Sequence, residues 1–257
     1  MSEKKKTSLA LLKERSDSFI QTLADTWSED ITALEAFSNH QKVLGSRLCL
    51  KVDQQLAKSE EDRPKDNGRP VIAWGTIDMQ KLFADAADRI KMGLDAMLPN
   101  HIWPVVYWNS SKNQYDVDLR VGYKGEDYYK RKSSVFPVKN IRYELVYKTD
   151  EFTVIKSDMN NCKEGYTFSI TDPFNRGDVV GGFGYIEYVD ESLNELIVVT
   201  KKDFNDAKNV AKSQKFWNKW PERMQYKTLV HRVTGKLQLD PEKINSGNNG
   251  YDEEPGF

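Results

Sequence analysis

Apolar residues recur at three- and four-residue intervals through Met79, Leu82, Phe83, Ala86, Ile90, Leu94 and Met97, the stripe of a helix that buries one side. Asp78 stands just ahead of the stripe, where a carboxylate accepts from the first-turn N–H groups, so the spacing predicts an N-capped helix from Met79 to Met97. The period then changes. Proline, valine and aromatic residues run from Pro104 to Trp108, and from Tyr115 to Val121 valine, leucine and tyrosine alternate with aspartate and arginine. The polar stretch Ser110 to Asn113 between them predicts a hairpin. Gly122 to Ser134 reads as a turn running into a short helix that carries Lys124, Lys130, Arg131 and Lys132. Strands are predicted at Asn140 to Lys148, Gly181 to Val189 and Leu196 to Thr200, with a looser stretch from Asn160 to Arg176 between the first two.

The flanks complete the layout. Leu9 to Leu23 and Leu34 to Leu56 predict helices of modest or mixed pattern. Ser59 to Pro70 combines charges with two prolines and a glycine, an exposed loop that divides a helical N-terminal arm (1–70) from a core (71–240). Pro221 suits the first turn of a helix reaching Leu237. Tyr226, Leu229, Val230, Val233 and Leu237 fall on one side of it, while Arg223, Lys227 and His231 form an i, i+4 row beside them. The composite is an α+β protein with an antiparallel β-sheet.

A net charge of −1 gives no general attraction to a polyanion, so the distribution matters. Between Lys201 and Lys236 ten basic residues face three acidic ones, a net of +7, whereas from Asp240 onward five acidic residues face Lys243 alone, a net of −4. This split suggests a polyanion site beside an acidic tail that avoids or mimics the polyanion; two solvated surfaces are the alternative. Residues 241–257 are expected to be a disordered acidic tail, and Ser246 to Phe257, ending in phenylalanine, is either a partner-binding segment or a solubilising end. Phe216, Trp217 and Trp220 interleave with Lys215 and Lys219, a mix that suits stacking on bases beside phosphate contacts, although such a cluster is more often core.

Several chemistries lose support. The apolar runs are far shorter than the ~20 residues that span a bilayer, and no apolar segment of signal-peptide length follows the lysines at the N-terminus, so a cytoplasmic protein is expected. Cys49 and Cys162 have no cysteine at metal-ligand spacing. With three histidines (His40, His101, His231) there is no HExxH or other clustered ligand set for a metal-dependent nuclease, and a glycosidase-like hydrolase has as little. Asp116 and Asp118 alternate along a strand and read as its solvent-facing side. His231 reads as a neighbour of phosphate rather than a general base. Gly181-Gly182-Phe183-Gly184 sits in a strand without the helix and lysine of a P-loop, so no nucleotide or other cofactor is expected.

From Ile77 to Asp240 the chain resembles the RecT and Red-beta family of phage-type single-strand annealing recombinases. The resemblance rests on Met92-Gly93-Leu94, Val105-Val106-Tyr107, Val121-Gly122-Tyr123-Lys124-Gly125, Glu151-Phe152, Gly182-Phe183-Gly184-Tyr185, and Trp217 followed by Met224, Lys227-Thr228 and Arg232. Pro221 departs from it, standing where many relatives have a second aromatic, as does Val106, where relatives often have proline. The resemblance implies a sheet with a long helix packed across it, and ATP-independent binding and annealing of single-stranded DNA without catalysis. It implies assembly into rings or helical filaments, with a 5′-to-3′ exonuclease and the host single-strand-binding protein as partners and no membrane. Lys124, Lys132, Lys227 and Arg232 sit where it places groove-lining cations; Tyr123 and Trp217 lie in the same motifs, and Arg223 joins the set from the helical row. A protein that only coats single strands is the main competing reading.

Overall fold

The computed structural model describes residues 8–28, 38–64, 68–157 and 163–245. Packing divides the chain into two units, one running up to Gly125 and one spanning Glu126–Ile244. Among the described residues no helix is long and apolar enough to cross a membrane.

The first unit contains α1 (Ser8–Ser28), α2 (Asn39–Glu61), α3 (Met79–Lys91) and a hairpin of β1 (Ile102–Asn109) and β2 (Gln114–Val121). Ser38 and Gln41 form a capping box that starts α2, and the helix outlasts the predicted Leu56 to reach Glu61, inside the stretch expected to be loop. Asp78 caps α3 as the spacing predicts, its carboxylate accepting from the Lys81 N–H at 3.0 Å. The helix stops at Lys91, short of Met97, because Gly93 at φ 72° turns the chain into the left-handed region. Leu94 is nevertheless buried, so the apolar stripe outlives the helix that predicted it. The hairpin pairs Ile102 with Val121 through to Asn109 with Gln114.

Asp116 and Asp118 do not form a solvent-facing strand side. Asp116 is 4% exposed and accepts from Asn109 Nδ2 at 2.9 Å, while Asp118 accepts from Lys81 Nζ at 2.8 Å and from the Tyr107 hydroxyl at 3.1 Å. Cross-strand neighbours and the α3 lysine cover that side, which alternation along a single strand could not reveal. Cys49 is buried, and burial pushes its thiol up to about 11.

The second unit is built on an antiparallel sheet in the order β3 (Val138–Tyr147), β6 (Val179–Tyr188), β7 (Glu195–Thr200). One side carries α7 (Pro221–Thr234), whose Leu229 and Val233 share a buried cluster with Ile141, Leu145, Ile186, Ile197 and Val199. The other side is covered by a second hairpin, β4 (Glu151–Ile155) with β5 (Gly165–Ser169). Its Phe152 ring stacks on Phe183 of β6 at 4.6 Å, with Tyr166 at 4.5 Å and Phe168 at 5.4 Å from the same ring. Periodicity does not predict this hairpin, since β5 lies in the stretch that reads as loose. The loop that leaves it is clamped by Arg176, which donates to both oxygens of Asp150 at 3.0 and 2.6 Å. Burial alone would raise the Asp150 carboxyl, but Arg176 and the Tyr147 N–H hold it below the usual carboxylate range.

α4 (Tyr123–Lys132) matches the predicted short helix. Two further helices go beyond the prediction: α5 (Lys201–Asn209), opened by a Thr200–Asp203 capping box, and α6 (Lys215–Lys219). Pro241–Asn245, expected to begin the disordered tail, forms the short helix α8, and Lys243 Nζ donates to the Ser134 carbonyl at 2.7 Å. The rest of that tail, residues 246–257, lies outside the described residues, as do Cys162 and residues 34–37 of the second predicted helix.

Candidate nucleic-acid interface

α7 begins with Pro221 at its first turn, and its C-cap is Gly235, so it ends short of the predicted Leu237 although Leu237 is still buried. Its inner side is fixed by two glycines of β6. A Cβ on Gly182 would lie 3.1 Å from Leu229 Cδ2, and one on Gly184 would lie 2.2 Å from Val233 Cγ2. The Gly-Phe-Gly-Tyr strand thus alternates between a face with no side chains, which admits α7, and an aromatic face that packs on the β4–β5 hairpin. Burying Leu229 and Val233 contributes roughly 1.5–3 kcal/mol each, enough to hold the helix in one rotation.

That rotation sets what faces water. Arg223 and Lys227, one turn apart, are exposed, and among the described residues neither pairs with a carboxylate. His231, next in the row, is partly buried and its Nδ1 contacts Glu126 of α4. Burial would raise the Glu126 carboxyl, but hydrogen bonds from His231 and Lys130 outweigh it and hold it down at about 2. Arg232 is exposed, with a loose 3.9 Å approach to Asp203. The acidic residues of the basic segment are largely occupied: Asp203 accepts from the Thr200 hydroxyl at 2.6 Å, and Asp206 from Lys202 at 2.6 Å.

At the α6–α7 joint the three aromatics separate. Trp217 is 4% exposed, whereas Trp220 is 44% and Phe216 is 61% exposed. Trp217 therefore has little ring surface to offer a base, a distinction that helical spacing alone does not carry.

Within α4, Lys130 and Arg131 are held by Glu126 at 2.6 Å and Asp127 at 2.8 Å. Lys132 has no such carboxylate among the described residues; it lies 5.7 Å over the Tyr128 ring, and burial pushes its ammonium pKa down. Tyr123 and Lys124 open the helix and belong to the first unit. The Gly-Tyr-Lys-Gly motif around them has a backbone cause. Gly122 N–H donates to the His101 carbonyl at 2.9 Å and Gly125 N–H to the Asn100 carbonyl at 3.1 Å, and a Cβ on Gly122 would lie 2.1 Å from the Asn100 oxygen. Lys124 itself is exposed.

The second unit thus holds Lys132, Trp217, Arg223, Lys227 and Arg232, with the last four on α6 and α7 and Lys132 on the helix that Glu126 ties to His231. Sequence reasoning does not single out Glu126. Its i, i+4 spacing to Lys130 marks a helix, but nothing along the chain connects it to His231. Among the described residues no three His, Cys, Asp or Glu side chains come together as a metal-binding group.

An α+β unit whose sheet carries a helix with an apolar inner side and, among the described residues, outer cations without carboxylate partners offers a surface that attracts a polyanion. The chain belongs to the RecT family: the family model matches residues 53–254, covering both units from within α2 onward. RecT proteins bind single-stranded DNA and anneal complementary strands in recombination. A search of curated proteins finds no match.

Proposed function

We propose that this chain anneals complementary DNA strands without nucleotide fuel or catalytic chemistry, holding the first strand by its phosphates along the outer row of α7. The observation that carries this reading is the pair Arg223 and Lys227: one turn apart, exposed, without a carboxylate partner among the described residues, and fixed in direction by the two-glycine seat of α7. Arg232 and Lys132 extend the cationic surface of the second unit, and Lys124 is assigned a phosphate contact on the first. Tyr123 accompanies Lys124 there, and Trp217, buried, supports the joint that carries the more exposed aromatics.

Two polyanions repel, and cations that release condensed counterions lower that repulsion. A strand held by its backbone keeps its base edges open, so an incoming strand is tested by Watson-Crick pairing, and stacking in the product drives the reaction. Residues 71–240 form the annealing core in this reading. Copies assemble into a ring or helical filament so that one strand passes along successive subunits. The annealed duplex stays with that assembly. A 5′-to-3′ exonuclease and the single-strand-binding protein of a bacterial host are the expected partners, in the cytoplasm.

The test mixes complementary oligonucleotides with the purified protein in EDTA without ATP. Faster annealing is expected. Strands that are bound but never paired would replace this reading with a coating protein, and cleavage once magnesium is restored would replace it with a nuclease.

A further inference from the structure

Trp220 occupies an unusual position in the basic segment. Its φ of −138° and ψ of 61° break the chain between α6 and α7, yet its backbone is pinned on both sides: its N–H donates to the Phe216 carbonyl at 2.8 Å, and its carbonyl accepts from the Met224 N–H at 3.1 Å. Pro221 follows and fixes the next φ. The indole that leaves this joint is 44% exposed, with the Arg223 guanidinium 4.7 Å and the Lys219 ammonium 5.5 Å from its ring centre.

We propose that Trp220 is the base-contacting residue of the site, stacking on one nucleobase of the bound strand while Lys219 and Arg223 meet the phosphates beside it. The proposal rests on the phosphate-holding role given to α7 above. Indole is the strongest cation-binding ring among the aromatic side chains, so it holds both cations over its ring until a base displaces them, and they then lie within reach of the phosphates next to that base. Stacking uses the face of a base and leaves its pairing edge open, so this contact is compatible with annealing. It also gives Trp220 a selective part. In a duplex both faces of every internal base are covered by neighbours, so only an unpaired strand presents a face to the indole. Trp217 is too buried for this role, and the cations of the joint gather over Trp220 rather than over the exposed Phe216.

The test measures equilibrium binding of the full chain to three probes of equal length: an oligothymidylate, an abasic oligonucleotide with the same phosphates, and a duplex. Trp220→Ala is expected to bind the oligothymidylate about tenfold more weakly, with an unchanged salt slope, while its binding to the abasic strand and the duplex matches the wild type. Trp220→Phe keeps most of the affinity. Trp220→Leu, which preserves apolar bulk at the joint, repeats the loss on oligothymidylate alone and serves should the alanine variant fail to fold. Equal oligothymidylate binding by wild type and both truncated variants overturns the proposal, as does a loss of the same size on the abasic strand. In either case salt-dependent wild-type binding leaves the α7 reading standing. A wild-type protein that ignores all three probes removes that reading and this proposal together.

Discussion

Val233 lies so close over Gly184 that a Cβ on the glycine would be 2.2 Å from one of its methyl carbons and 2.5 Å from the other. A β-branched side chain on a helix has almost no rotamer into which it can retreat. Gly184→Ala is therefore expected to push α7 off the sheet and to destabilise the second unit by about 1–3 kcal/mol, the usual range for overpacking. Pairing it with Val233→Ala should recover part of the loss. Urea unfolding of the two single variants and the double variant checks this, and additive losses would contradict it.

The glycines of the Gly-Tyr-Lys-Gly motif make a second, separable prediction. Gly122→Ala would set a methyl 2.1 Å from the Asn100 carbonyl oxygen, a backbone atom that cannot turn aside. Its midpoint of thermal unfolding should fall by more than about 5 °C, whereas Lys124→Ala, at an exposed position, should stay within about 2 °C of the wild type. Scanning calorimetry on both variants separates the structural part of the motif from its cation.

Glu126 predicts a pH dependence. Its carboxyl is held at about 2 against an ordinary 4.5, so the stability it contributes is fully present above pH 4.5 and is lost as the pH falls toward 2. The shift corresponds to at most about 3 kcal/mol. The difference in unfolding free energy between wild type and Glu126→Gln should be present at pH 5 and shrink below 4.5. Denaturant midpoints at pH 7, 5 and 3 measure it; a constant difference across that range would mean that the carboxylate is not what ties α4 to α7.

How much of the fold is legible along the chain depends on how local its causes are. The stripe from Met79 and the Asp78 cap are interactions within one helix, and both appear as read, while the helix ends early because Gly93 reverses the chain before the apolar stripe runs out. The β4–β5 hairpin escapes because Phe152, Tyr166 and Phe168 alternate with only a few polar residues in strands of five, and their burial depends on Phe183 of a distant strand. α5 carries a readable signal in Thr200 and Asp203, hidden behind a strand that ends on the same threonine. In the candidate interface, the Arg223–Lys227 row follows from helical periodicity, and its exposure agrees. The burial of Trp217 beside an exposed Trp220, the pairing of His231 with Glu126 and the burial of Asp116 all depend on elements brought together by folding, and no spacing encodes them.

If cations on the outer row of α7 hold single-stranded DNA by its phosphates, as proposed above, binding depends on salt through the counterions they release. Affinity for an oligonucleotide should fall linearly with salt on logarithmic axes, and Lys227→Ala and Arg223→Ala should each flatten that slope by about one unit while leaving the fold intact. Wild-type slopes in both variants would mean that Arg223 and Lys227 do not hold the phosphates.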